Sequence, residues 1–314
     1  MRTIIVALDG SPFAEAAIPL ALGVAQCLKA RLELVSVHQP PSGIRAISGA
    51  RVHDLSLDQD ESAELRAALQ LYLEHVATRI GRAPDAPPVL VTLLDGEPAD
   101  RLCQHAAERK AALMIVTTHG RGGISRAWIG SVTDAALRAT SVPLLVVRPP
   151  AVKDDTKPAD PLTAQRVRKV LIALDGSGIG EAVIGPLQTL FGNSVEYMVF
   201  GAVPPLHPML RAIASHEEYE RDLLAQEAKF AGYLKAAETA LTDRGMQASR
   251  CALIDLEPAR AIHRCASTNA VDVIAMATHG RGLLGRMMLG SIADKVLRTA
   301  DAPVLLCRIP PDVV

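Results

Sequence analysis

The sequence predicts an α/β protein written twice: two tandem, doubly wound, mainly parallel five-stranded sheets, each flanked by helices. Three observations predict it. The length of 314 residues fits two domains of ordinary size. Hydrophobic residues reach 49% while aromatics are only 3%, so the apolar mass is Val, Ile, Leu and Ala, as in parallel strands covered on both faces. Finally, three sequence blocks recur in the same order, which marks an internal repeat.

The first block is IIVALDGS at residues 4–11 and VLIALDGS at 170–177. The second is Leu93-Leu94-Asp95-Gly96-Glu97-Pro98-Ala99 against Leu253-Ile254-Asp255-Leu256-Glu257-Pro258-Ala259. The third opens on THGRG at 118–122 and 278–282 and continues ungapped to Pro150 and Pro310. The copies are offset by 166 residues at the first block and 160 at the others, so the second copy lacks six residues in its middle. Prolines and charges dominate the stretch between them, Pro149 to Pro161, the composition of an extended linker. The expected organisation is a first domain at 1–150, a linker at 151–166 and a second domain at 167–314.

In the first copy Thr3–Leu8, Arg31–Val37, Val89–Leu94, Leu113–Thr117 and Leu144–Val147 have strand length and strand composition. Pro12–Leu28, Glu61–Ile80, Pro98–Lys110 and Ser131–Arg138 carry helical apolar spacing between them. The second copy repeats the strands at Lys169–Leu174, Val195–Phe200, Arg250–Ile254, Val273–Ala277 and Val304–Cys307. Strand–helix alternation at these lengths implies right-handed crossovers and a parallel sheet.

Charge and cysteine usage exclude several function classes. Lys and Arg number 33 against 34 Asp and Glu, which gives no electrostatic reason for a nucleic-acid partner or an anionic membrane surface. The odd count of five cysteines, with no C-x-x-C pair, speaks against a disulfide framework and for a reducing compartment. No apolar run reaches the length of a signal h-region or a membrane span, so a cytoplasmic protein is expected.

Ligands of open α/β sheets bind outside the carboxyl ends of the strands, near a switch point. Two segments per copy belong there. Asp9-Gly10-Ser11 and Asp175-Gly176-Ser177 end the first strands, where turn and N-cap roles also explain them. After the fourth strand come Gly120, Arg121 and then Gly130-Ser131-Val132, repeated as Gly280, Arg281 and Gly290-Ser291-Ile292. Glycines permit positive φ and close backbone approach. A following helix start aims unpaired N–H groups and a positive dipole end at an anion. Arg121 and Arg126, with Arg281 and Arg286, border the loop and can neutralise charge.

His119 and His279 read as loop-ordering residues, and Glu97 and Glu257 as helix-start residues. Cys307 fits small apolar packing in a strand. The charged stretches Asp58–Arg66 and His216–Lys229 read as solvated helix faces. No nucleophile–base–orienter set, Walker lysine or metal-ligand spacing is present, so no catalytic residue and no metal site are assigned.

On the ALDGS openings, the glycine-rich loops and the closing VPLLVV and APVLLC strands, the chain resembles the universal stress protein family in both copies. The resemblance implies a Rossmann-like, adenine nucleotide alpha hydrolase-like fold in two pseudo-twofold-related domains. ATP-binding members carry G-x-x-G, nine residues, then G-[ST]. Gly120, Gly130 and Ser131, and likewise Gly280, Gly290 and Ser291, match the last three positions. The first glycine is replaced by Thr117 and Ala277.

The resemblance further implies ATP, with Mg²⁺, on these loops. Asp9 and Asp175 would lie near the nucleoside, and Val37 and Phe200 would border the adenine. The implied role is a stress-response sensor or regulator, with at most slow hydrolysis or autophosphorylation. Because the first glycine is substituted, a nucleotide-free, dimerising interaction module stays open as the alternative. The second copy is the better-suited site, since Ala obstructs backbone approach less than Thr. The apolar closing strands would be costly as bare edges, which with the resemblance implies pairing of the halves through them and a capacity to form a homodimer.

Overall fold

In the computed structural model, residues 1–39, 55–83, 85–118, 129–149, 163–203, 215–255, 257–278 and 289–308 are described. The chain divides into two compact units, Met1–Arg166 and Val167–Val314.

The first unit runs β1 (Thr3–Ala7), α1 (Pro12–Glu15), α2 (Ile18–Leu28), β2 (Arg31–His38), α3 (Leu55–Gly81), β3 (Val89–Asp95), α4 (Pro98–Glu108), β4 (Leu113–Thr117), α5 (Ser131–Ala139) and β5 (Leu144–Val147). Its strands are parallel in the order β3-β2-β1-β4-β5. Ile4, Ile5 and Val6 of central β1 have no exposed surface, because helices cover both faces of that strand. On outer β3 most side chains are only half-buried. The order reverses between β1 and β4, and the crevice beyond their carboxyl ends is the switch point.

The second unit repeats the plan with β6 (Lys169–Leu174), α6 (Gly178–Glu181), α7 (Ile184–Leu190), β7 (Glu196–Val203), α8 (His216–Thr242), β8 (Gln247–Ile254), α9 (Pro258–Thr268), β9 (Val273–Thr278), α10 (Ser291–Thr299) and β10 (Val304–Arg308). The strand order is β8-β7-β6-β9-β10, again parallel. Sheet registers align the copies: Ile4 pairs with Leu32 as Val170 pairs with Tyr197. Glu33, Val35, Ser36 and Val37 of β2 therefore correspond to Met198, Phe200, Gly201 and Ala202 of β7.

One expected helix is two. Pro12–Leu28 breaks at Ala16–Ala17, and α2 restarts at Ile18 with Pro19 in its first turn. A proline has no N–H to donate and its ring crowds the carbonyl four residues back, so a helix restarts there more readily than it continues. Pro186 sits in the first turn of α7 with the same result. Helix α3 starts six residues before the expected Glu61, since the polar residues of its first turns gave no apolar stripe to read.

Residues 163–166, placed in the linker by the sequence, lie against α2. The Gln165 N–H donates to the Pro19 carbonyl at 2.8 Å. A Cβ on Gly23 would stand 1.9 Å from the Gln165 carbonyl oxygen, so only glycine admits that crossing.

Candidate functional site

Each unit builds its crevice from the same three parts. The first is the turn after the central strand. Asp9 Oδ1 accepts the Ser11 N–H at 2.9 Å, and Ser11 Oγ caps α1 by accepting from the Ala14 N–H. Asp175 does the same for Ser177, accepting from its N–H at 3.0 Å and its hydroxyl at 2.6 Å. The turn residues Gly10 and Gly176 have φ of 81° and 86°, the left-handed region that favours glycine. Both aspartates thus hold a turn, yet they also line the crevices.

The second part is the start of α5 and of α10. Gly130 and Gly290 are the N-cap residues, and no side chain caps either helix. Their φ is −57° in both copies, so the positive φ that the sequence allowed for is not used. Both are half-buried. A Cβ on Gly290 would meet nothing within 4 Å. Among the described residues, neither the backbone conformation nor the packing demands glycine at Gly290. Ser131 and Ser291 follow, exposed, with Val132 and Ile292 half in solvent.

The third part is the apolar wall from the neighbouring strand and helix. In the first unit Val35, Val37, Pro98 and Leu102 join Asp9, Thr117 and Gly130–Thr133 around a cavity of about 210 Å³. In the second unit Phe200, Ala202, Phe230 and Ile262 join Asp175, Ala277 and Gly290–Ala293 around about 410 Å³. Asp9, Val37, Gly130, Ser131 and Val132 therefore share one cavity, and Asp175, Phe200, Gly290, Ser291 and Ile292 the other. Val37 and Phe200 are not counterparts, however; by register Val37 matches Ala202. The assigned Gly120, Arg121, Gly280 and Arg281, with Arg126, Arg286, His119 and His279, lie outside the described residues.

Phe230, on α8, was not singled out by sequence; it directly follows the charged stretch His216–Lys229 that reads as a solvated face. Its ring crosses β7 where a Cβ on Gly201 would stand 2.1 Å from a ring carbon. A glycine inside a strand was the available signal. The charged lining residues in each cavity are aspartates alone among the described residues. No group of three His, Cys, Asp or Glu among the described residues is placed to hold a metal ion. No helix among them is long and apolar enough to cross a membrane.

Sequence reading also missed a cluster one step deeper in the sheet. In the first unit Glu33 has no exposed surface. Its Oε1 accepts from Thr92 Oγ1 at 2.7 Å, lies 2.8 Å from His105 Nε2 and 3.4 Å from the Arg109 guanidinium. Burial alone would raise the Glu33 pKa; the Thr92 and His105 contacts, with the Arg109 charge, bring it below the usual carboxylate value. The corresponding positions of the second unit hold sulfur. Met198 replaces Glu33, Cys251 replaces Thr92 by its pairing with Phe200, and Cys265 replaces His105. Cys265 Sγ lies 3.4 Å from Cys251 Sγ and 3.7 Å from Met198 Sδ, and Asn269 stands where the first unit has Arg109.

Two parallel α/β units, each with a carboxylate-tipped strand and an uncapped helix start around a crevice, define a duplicated, doubly wound α/β protein. The universal stress protein family profile matches residues 1–148 and 166–308, and the chain belongs to that family. A universal stress protein of Mycobacterium tuberculosis is 25% identical over 320 residues, covering 98% of this chain and 96% of the relative. A second from the same organism is 26% identical over 204 residues, a match that spans 62% of its length and 63% of this chain. A universal stress protein from Archaeoglobus fulgidus shares the fold, with a TM-score of 0.66 and 16% identity over 98% of each chain.

Proposed function

We propose that this universal stress protein binds an adenine nucleotide, ATP with Mg²⁺, and works as a sensor or regulator in the stress response, not as a turnover enzyme. The observation that carries the reading is the uncapped N-terminus of α10 opening on the larger cavity beside a glycine the fold does not require. Phosphates would take the N–H groups of the helix start, whose partial positive charge offsets theirs. Asp175, a carboxylate and hence an acceptor, suits nucleoside hydroxyls on the same strand end. Phe200, Phe230 and Ile262 offer apolar contact to a base.

The second unit is the main site. Its cavity falls within the range of about 300–1,000 Å³ usual for small-molecule pockets, and the first unit's falls below it. Thr117 and the smaller space favour the alternative for the first unit, a nucleotide-free surface for interaction. Pairing of the halves through Leu144–Val147 and Val304–Cys307, with a homodimer built on it, belongs to the same proposal. Sedimentation of the full chain at several concentrations checks the homodimer.

Calorimetric titration of ATP with Mg²⁺ into wild type, Gly130→Val and Gly290→Val tests the site. Wild type should bind, Gly290→Val should lose at least about tenfold in affinity, equivalent to about 1.4 kcal/mol, and Gly130→Val should change little. No binding by wild type at millimolar ATP ends the nucleotide reading. Loss in Gly130→Val alone reverses the ranking of the two units.

A further inference from the structure

The sulfur cluster of the second unit has chemistry that nucleotide binding does not use. Cys251 lies on β8, the strand at the open end of the order β6-β7-β8, and is half-buried. Cys265 lies on α9, which packs across that edge, and is 2% exposed. Both are thiols, and their Sγ atoms stand 3.4 Å apart. A disulfide needs about 2.05 Å between sulfurs, so closing it takes a movement of roughly 1.4 Å, within the reach of side-chain rotation.

We propose that Cys251 and Cys265 are a redox-active dithiol that closes to an intramolecular disulfide when a peroxide reaches Cys251. The unequal burial of the two sulfurs sets their roles. Cys251, reachable from solvent, gives up its proton and attacks one peroxide oxygen as its thiolate; the O–O bond breaks, Cys251 becomes a sulfenic acid, and the departing hydroxide takes up the thiol's proton as water. Cys265 then attacks the Cys251 sulfur. The S–S bond forms, the S–O bond breaks, and the Cys265 proton leaves with the hydroxide as a second water. Two thiols and one hydrogen peroxide give one disulfide and two waters, each sulfur losing one electron.

Burial, reinforced by the neighbouring Cys251, pushes the Cys265 thiol up to about 12. It stays protonated and unreactive toward peroxide until the sulfenic acid forms beside it. The first unit cannot do this chemistry, since it carries Thr92 and His105 at the same places. The proposal does not depend on nucleotide binding.

The test uses the full chain, reduced, desalted and exposed to hydrogen peroxide. Remaining thiols are then alkylated and the peptides mapped without reductant. In wild type the peptides carrying Cys251 and Cys265 should be joined, and the thermal midpoint of the second unit should rise by several degrees and fall back with dithiothreitol. Cys251→Ser should leave Cys265 alkylatable, and Cys265→Ser should leave Cys251 as a sulfenic acid trapped by dimedone. If a serine variant fails to fold, the wild-type map and the alanine variants decide. Alkylatable Cys251 and Cys265 after exposed Cys27 has been oxidised would overturn the proposal. So would Cys251 sulfinic acid beside an intact Cys265 thiol, or a link joining two chains.

Discussion

At corresponding depths of their own sheets, the two halves of this chain solve one packing problem with opposite chemistry. Behind the first crevice, Glu33 is sealed in and held by Thr92, His105 and Arg109. Behind the second, Met198, Cys251 and Cys265 fill the corresponding space with sulfur. A buried ion pair and well-packed hydrophobes of similar volume are often near equal in net stability, because desolvation cancels much of the Coulombic gain. The fold at this place therefore constrains volume and leaves the kind of side chain open. What differs is vulnerability. A charged cluster fails when one partner is removed or protonated, whereas a sulfur cluster loses little from truncation.

Removing one partner breaks the comparison most sharply. His105→Ala strands a buried carboxylate and should cost about 3–5 kcal/mol, while Cys265→Ala should cost about 1 kcal/mol. Hydrogen exchange of β2 and β7 peptides in rising urea reads the two units separately. Equal losses would mean that the Glu33 cluster is not a coupled ion pair.

A smaller effect is expected from the backbone beside the clusters. Gly201→Ala drives a Cβ into the Phe230 ring, and the overpacking should cost about 1–3 kcal/mol. Its counterpart Ser36→Ala should cost about 1 kcal/mol or less. In a Phe230→Ala background the Gly201→Ala penalty should vanish, a coupling that a double-mutant cycle on the second unit measures.

The subtlest difference is in acid. The folded pKa of Glu33 is lowered, so its contribution to stability is complete above the unfolded value of about 4.3 and is lost as pH falls through the folded value. Glu33→Gln should remove that component from the first unit. The wild-type and variant exchange profiles should then converge as pH falls below the lowered folded value of Glu33. Asp255 in the second unit is also held low, chiefly by the Arg260 guanidinium and then by the Glu257 N–H, and gives that unit its own acid response in both proteins. Parallel profiles at every pH would show that Glu33 does not titrate with folding.

The duplication, the parallel order and the two crevice-lining motifs were legible in the sequence because each is a local pattern repeated in order. The helix break at Pro19 was legible in principle, but the apolar spacing of Pro12–Leu28 runs through it. The Glu33 cluster was not legible: Glu33, Thr92 and His105 lie on three elements, and only the strand register brings them together. The mismatch of Val37 with Phe200 has the same origin, since sequence alone placed both at a strand end without the pairing that counts residues.

The crossing of Gln165 over Gly23 decides where a knife can go. A first half ended at the proline-rich stretch would lose the strand of backbone that lies on α2, leaving the Pro19 carbonyl without its partner and the Gly23 notch open. The second unit begins at Val167, two residues before β6. Anyone separating the halves should cut after Arg166, giving the first its tail and the second a clean start at β6.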